Sequence, residues 1–522
     1  MNILITRILC LTVLMAGMFS KANGSDTLSV VKSKLNLDNI TITNLWANST
    51  NPAGIGFVNT SKLNLLETGY SFSSKELKSP IEPGNTNLFY AKTKGYKKLG
   101  KLMFYGSFGY SNEQYKDLLY NNTLIFDINN PYILGDTIGG KQRKEGFLLK
   151  GSVAIPLTDK ITVGIDADYQ DYVGAKGKDP RNRNDISSLA ITPGIIFNGT
   201  KLSVGLSGGP VVFNNDISVS VMDDGRYNLF QFLGFGYFKS IRNIISYENE
   251  YFGKGYQAEA QLRYINGNYS NFLVIDYNSG KEEVRYGTTK RLIDGISDKN
   301  CISVSNYQSF RKNGNLHRLN TIINMMRLNG TEVMQHSKTI ITGSYSYDTL
   351  ITDSWIQDKH IASNYDGTIE YIFSRYNDYG EKSRINLGMY AEYQTAYHYP
   401  VRNYGFQEVI NIMAFTGYKK YISIRSVTLI PEFGIGYRKN LFKDMNYVIA
   451  ELSLPAVQQQ DYLARHSDFF KGNAGISFMK KTGMKAFNEY YININTAYTY
   501  APDKLNGPYQ NFLLNCSMGL IF

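Results

Sequence analysis

Cysteine is close to absent, with three in 522 residues. Cys10 falls in an N-terminal apolar stretch, which leaves Cys301 and Cys516, far apart in the chain. That excludes a disulfide framework, and two lone thiols cannot build a zinc site. Histidine is equally scarce. His317, His336, His360, His398 and His466 show no metal-ligand spacing such as His-Glu-x-x-His. No apolar run approaches the roughly 20 residues of a spanning helix, which excludes a polytopic helical membrane protein. The formal charge of +11 is spread over both signs without a basic stripe, so a nucleic-acid partner is not expected. With 43% hydrophobic residues the chain is also no low-complexity disordered segment. Aromatics and glycine are plentiful: Tyr 41, Phe 28 and Gly 47, against only 13 Pro. This composition favours a large all-β protein.

Residues 1–24 read as a cleaved secretory signal. Arg7 supplies the positive start, Ile8 to Phe19 the apolar stretch, and Ala22 and Gly24 the small residues for cleavage. About 12 apolar residues are too few for a membrane anchor.

Beyond residue 60 the chain alternates with period two, the signature of extended strands with one apolar and one polar face. Ile161, Val163, Ile165, Ala167 and Tyr169 oppose Thr162, Gly164, Asp166, Asp168 and Gln170. Tyr256, Ala258, Ala260, Leu262 and Tyr264 oppose Gln257, Glu259, Gln261 and Arg263. Ile385, Leu387, Met389, Ala391 and Tyr393 oppose Asn386, Gly388, Glu392 and Gln394. Soluble sandwiches alternate too, but these strands are about 9–13 residues long, the length a tilted strand needs to cross a bilayer. Tyr490, Tyr498 and Tyr500 flank Ile492 and Ile494 on one face, as in an interfacial aromatic girdle. The expected fold is a transmembrane antiparallel β-barrel of about 14–18 strands over residues 61–522. Short connections around Pro156–Lys160, Asn198-Gly199 and Lys481–Gly483 alternate with longer polar stretches at 174–185, 214–228, 455–470 and 501–510. The long set is expected to face the exterior.

The chain closes on an alternating strand in which Phe512, Leu514, Cys516, Met518, Leu520 and Phe522 share one face. A C-terminal strand ending in an aromatic resembles the recognition strand of bacterial outer-membrane barrels. That resemblance implies the barrel-assembly machinery as a partner, read through Phe512, Leu514, Met518, Leu520 and Phe522. It also implies a Gram-negative outer membrane, with its lipid and lipopolysaccharide, as the surroundings.

Residues 25–60 precede the alternation and contain Asn51-Pro52-Ala53-Gly54, in which Pro52 fixes φ and Gly54 permits φ > 0. At these positions the chain resembles the FadL-type outer-membrane transporters of hydrophobic compounds, where an Asn-Pro-Ala motif lies in an N-terminal hatch inside a 14-stranded barrel. With its Trp46 upstream, the segment is also similar to an uncharacterised outer-membrane barrel family of Bacteroides-type bacteria. The resemblance implies that residues 25–60 are a candidate hatch and Asn51, Pro52, Ala53 and Gly54 its plug motif. A plain turn leading into the first strand is the competing reading.

Chemistry is sparse. Gly205-Leu206-Ser207-Gly208-Gly209 matches a nucleophile elbow but falls in an alternating strand with no nearby base. Asp166 and Asp168 share the polar face, where carboxylates bias ion passage or pair with Lys and Arg. No enzyme, cofactor or metal is expected. The leading functional expectation is uptake or passage of a small solute, with Asp166, Asp168, Gln257, Glu259, Arg263, Glu392 and Gln394 facing the lumen. A non-transporting surface barrel whose loops bind a partner is the alternative, and a barrel hydrolase the third reading.

Overall fold

The computed structural model describes residue 40 and residues 44–522, apart from 128, 224, 226, 288–291, 343–344, 378–379, 400–404, 448–452, 483–486 and 503–506. The expected signal at 1–24 and most of 25–43 lie outside the described residues. Eighteen antiparallel strands, each hydrogen-bonded to its neighbours in chain order, close into a barrel. A three-residue piece, Ile422–Ile424, adds a short pairing at one edge. The first strand, Lys62–Lys75, pairs with Asn85–Leu99 on one side and with the last strand, Tyr509–Ile521, on the other. Asn64 and Phe522 exchange backbone hydrogen bonds of 3.3 and 3.0 Å at this seam. Closure gives every strand of the barrel wall a partner on both sides, which a strand in hydrocarbon requires.

The alternation decides which way each face points. On strand Ile161–Lys176, Ile165 is 52% exposed and Asp166 5%. On Glu489–Ala501, Ile492 and Ile494 point out. The same holds for Ile385, Leu387 and Met389 on Gly380–His398. Apolar side chains therefore cover the outside while carboxylates, amides and glycines line the interior, the inverse of a water-soluble domain. On the last strand Phe512, Leu514, Met518, Leu520 and Phe522 share the outward face, while Ser517, Gly519 and Ile521 turn inward.

Both chain ends of the barrel lie at one end, together with the short connections 157–160, 199–201, 267–268 and 313–314. Asn313 (φ 47) and Gly314 (φ 73) form one such turn, with both central residues in the left-handed region that two-residue hairpins need. The longest connections, 76–84, 117–141, 221–245 and 447–468, lie at the opposite end, called here the loop end.

Three expectations about loops need correction. The stretch 174–185 is mostly strand, because Ile161–Lys176 and Arg181–Asn198 run through it and leave only residues 177–180 as a turn. The strand Leu202–Ser220 likewise runs through the first part of 214–228, as far as residue 220. These segments are polar because their side chains meet polar loops folded into the barrel. Asn182 donates to the Asn122 carbonyl at 3.0 Å and Asn215 to the Thr123 carbonyl at 2.8 Å. The stretch 455–470 holds a helix, Pro455–His466, with Pro at its first turn and Arg465 and His466 at its last.

Connections 117–141 and 221–245 carry a three-stranded sheet (Leu134–Gly135, Tyr227–Phe232 and Phe238–Ile244). It fills the loop end, packing Tyr132, Leu134 and Leu229 against Ile217, Tyr251 and Val284 of the wall. A second interior cluster joins Trp46 and Ala53 to Ile196, Phe272 and Val274 nearer the termini.

Candidate functional site: a lumen with two inserts

Residues 44–60 fold against the inner wall near the termini. Two short 3-10 turns, Leu45–Asn48 and Pro52–Phe57, are started by Asn44 and Asn51 side chains that accept from the Trp46 and Ala53 amides. The wall beneath is glycine. Gly164 and Gly194 are register partners on adjacent strands, and Gly205 lies on the next. A Cβ on Gly164 would stand 2.6 Å from the Ala53 nitrogen. One on Gly205 would stand 2.8 Å from the Trp46 ring and 3.0 Å from the Asn51 amide nitrogen. Glycine at 164 lets the insert's backbone approach this closely, and glycine at 205 leaves room for the Trp46 and Asn51 side chains. Asn51 Nδ2 donates to Gln261 Oε1 at 2.9 Å and to the Ile195 and Leu206 carbonyls at 3.2 Å. The Thr50 amide donates to Glu259 at 3.0 Å and its hydroxyl at 3.1 Å. Trp46 packs edge-on to Phe272 with centroids 5.2 Å apart, and the Arg263 guanidinium lies 5.7 Å from its ring.

The seven lumen residues expected from the sequence fall into two groups. Asp166 and Asp168 face Lys150 at 3.1 and 3.7 Å, and Ser152 donates to Asp166. Gln257 donates to Thr192, Gln261 to Glu259, and Arg263 to Asn198 at 2.6 Å and Ser203 at 3.0 Å. Within this group Glu259 and Arg263 touch the N-terminal insert directly. Glu392 and Gln394 lie elsewhere on the wall, under the helix Pro455–His466. Glu392 meets Arg438 at 3.7 Å and accepts from Asn411 at 3.3 Å, while Gln394 donates to Glu392. Strand register joins the two groups in one row: Glu259, Asp276, Ser303, Asn324, Asp366 and Glu392. Asp276, Asn324 and Asp366 were not singled out from the sequence, although each alternates with outward Ile275, Ile323 or Tyr365, all exposed. Cys301 and Cys516 are both free thiols.

At the loop end Arg465 ties three elements together. Its Nε donates to Asp461 at 2.8 Å, one helical turn away, and its Nη1 to Gln394 at 3.1 Å and Asn129 at 3.3 Å. Its backbone carbonyl, left free at the helix end, accepts from Asn411 at 3.0 Å and from Arg438. Burial pulls the His466 pKa below its usual 6.5, helped by nearby Lys443 and Arg438 and opposed by a hydrogen bond to the Tyr462 carbonyl and by Asp468. The neutral ring donates its Nδ1–H to that carbonyl at 2.6 Å. Beside Arg465 lies a cavity of about 80 Å³ between the helix, the folded-in loops and the wall residues His360, Ala362 and Ala396. The helix and this cavity were not read from the sequence, though Pro455 followed by Arg465-His466 is a start-and-stop signal.

Residues 52–522 match a family of unknown function, DUF6850. The chain belongs to that family. No curated protein matches its sequence. Among solved structures, this DUF6850 barrel is similar to the outer membrane transporter YddB from Escherichia coli, at 7% identity and a TM-score of 0.40, covering 88% of this chain and 81% of that one. It is also similar to a FadL homologue from Pseudomonas aeruginosa, at 11% identity and 0.32, covering 91% and 93%. A third is the ferric preacinetobactin receptor BauA from Acinetobacter baumannii, at 8% and 0.37, covering 88% and 80%. These are likenesses of fold to outer-membrane barrels.

Proposed function

We propose that this DUF6850 barrel resides in the outer membrane of a Gram-negative bacterium, reached by a cleaved signal, and passes a small solute through a lumen occluded by two inserts. An outward apolar face on a closed barrel is stable only against hydrocarbon. The loop end then faces outward and the termini inward, with the outward face of the last strand presented to the assembly machinery and lipopolysaccharide around the loops. The observation that carries the reading is the seat of Asn51–Ala53. Three glycines on adjacent strands and the Glu259–Gln261 pair hold a segment that no strand pairing fixes in place. Such a segment can leave as a unit, and on this reading residues 44–60 are the hatch and Asn51 to Gly54 its anchor. Catalysis is not proposed, because Gly205 to Gly209 lie within strand Leu202–Ser220, without the strand-to-helix turn a nucleophile elbow needs.

Planar-bilayer conductance tests the proposal. The intact chain should conduct little, and a chain lacking both inserts, residues 44–60 and the folded-in parts of 117–141 and 221–245, should conduct steadily. Silence in both, with the barrel shown to be folded by its heat-dependent gel migration, would refute it. One observation favours the surface-module reading. Strands Asn315–Thr342 and Tyr345–Asn377 pair with each other beyond Gly295 and His398, where their neighbours stop, so this hairpin stands clear of the rim.

A further inference from the structure

The sheet folded into the loop end rests on two wall histidines. Its turn at residues 233–237 joins Tyr227–Phe232 to Phe238–Ile244. Beneath it His360 and His398 are register partners on adjacent strands, with ring centroids 6.1 Å apart. His398 stacks on Tyr237 with centroids 4.6 Å apart, and Phe235 lies 6.5 Å from His360. The turn sits this close because residue 234 is glycine: a Cβ there would stand 2.5 Å from His360 Nδ1. Both rings are nearly sealed, at 4% and 2% exposure, and neither Nδ1 has a hydrogen-bond partner. The charged groups that act on the rings already have partners. Arg465 and Asp461, beside His360, pair with each other at 2.8 Å. Lys359, beside His398, pairs with Glu332 at 3.6 Å, and Glu332 also faces Lys239 of the folded-in sheet at 3.9 Å. Tyr237 and Tyr132, the second packed over Gly330 next to His360, are phenols and stay neutral at and below neutral pH.

We infer that this histidine pair is an acid-sensitive latch that holds the loop-end insert in the barrel. A neutral imidazole has one N–H and one acceptor nitrogen, whereas an imidazolium has two N–H donors. Whichever tautomer the neutral ring adopts, protonation leaves an N–H at Nδ1 with nothing to accept it. It also places a charge in a nearly sealed site, next to Arg465 at one ring and Lys359 at the other. The stack on Tyr237 returns part of this cost for His398. Charging both register partners adds their mutual repulsion. With the turn released, each ring titrates near its ordinary value of about 6.5. The packed turn is therefore fully stable above about pH 6.5, and each ring that must stay neutral weakens it roughly tenfold per pH unit below that. The latch rests on the passage reading for its role: with the loop end outward, external acid would free the insert that covers the lumen.

The test is amide hydrogen exchange of the full chain in detergent micelles at about pH 7.5 and about pH 5.5, corrected for intrinsic rates. The Leu233 amide donates to the Tyr237 carbonyl at 2.9 Å, and the Tyr237 amide to the Gly234 carbonyl at 3.0 Å. Both should exchange roughly 10- to 100-fold faster at the lower pH, about tenfold for each ring. The Gly54 and Val58 amides of the N-terminal insert are the reference and should change less than threefold. The response should persist in His466→Phe, which removes the titrating ring of the helix. It should vanish in the double variant His360→Phe with His398→Phe, which keeps two rings and removes their titration. A change below threefold at Leu233 and Tyr237, an equal change at Gly54 and Val58, or an undiminished response in the double variant would each overturn the latch. Should the double variant not fold, either single substitution must lower the response at least threefold for the latch to stand. Exchange is read without passage. A responding turn in a chain that stays silent with both inserts removed would refute only the transport reading. A chain that then conducts, but whose turn ignores pH, would refute only the latch.

Discussion

Gly164→Ala isolates the seat of the N-terminal insert. In a strand interior, alanine in place of glycine stabilises by roughly 0.5–1 kcal/mol where the space is free. At Gly164 it is not free. The new methyl would lie 2.6 Å from the Ala53 nitrogen and 2.7 Å from the Pro52 carbonyl carbon, both backbone atoms that cannot rotate away. Overpacking of this kind costs about 1–3 kcal/mol. The cost falls on the insert, since strand pairing through Gly164 and Gly194 is unaffected by a side chain on the lumen face. Hydrogen exchange reads it at the Gly54 and Val58 amides, which donate to Asn51 and Ile55 at 3.0 Å. Their protection should fall roughly 5- to 140-fold, at about 1.4 kcal/mol per tenfold, while amides of the surrounding strands keep theirs. Gly151→Ala, with nothing within 4 Å of its Cβ, is the control and should leave the insert unchanged. Undiminished protection of residues 53–58 in Gly164→Ala would refute the close-approach argument.

The helix Pro455–His466 gives two further predictions. Because burial depresses the His466 pKa, the unfolded segment binds a proton that the packed one resists, so helix stability is full above about pH 6.5 and declines as the pH falls further. Exchange of the helix amides, corrected for intrinsic rates, should be faster at about pH 5.5 than at about pH 7.5, and His466→Phe should remove the difference. Equal rates at the two pH values in the unaltered chain would contradict it. Arg465→Met removes one partner of a buried ion pair and should cost about 3 kcal/mol, the low end for such pairs, because the Asp461 side chain keeps 21% exposure. Helix amides should then exchange about 100-fold faster; a change below threefold would show that the node does not hold the helix.

Much of the barrel was legible from alternation. Residues 161–172 and 490–500 declare their two faces because the outer one is continuously apolar and the inner one polar. The same logic hid the strand ends. At 174–185, Asn182 and Asn184 are buried beneath folded-in loops, and a polar residue meeting a polar interior looks in the sequence like a solvated loop. Asn51-Pro52 showed its turn chemistry, but its seat consists of glycines more than 100 residues away, which carry no pattern of their own. The Arg465 node was illegible for a similar reason. Asn129, Gln394, Asn411 and Arg438 come from four separate segments and meet only because the barrel closes.

The most direct test of the central claim is the folding free energy of two adjacent substitutions in lipid bilayers. Ile494 points out of the barrel at 42% exposure, and its neighbour Asn495 points in toward Glu432. If the outer face meets hydrocarbon, Ile494→Arg should destabilise the folded barrel by about 2–4 kcal/mol near the midplane. Asn495→Arg, which gains a nearby carboxylate on the wet side, should change it by less than about 1 kcal/mol. Equal costs at the two positions, or a mild effect at Ile494, would contradict the assignment of the faces.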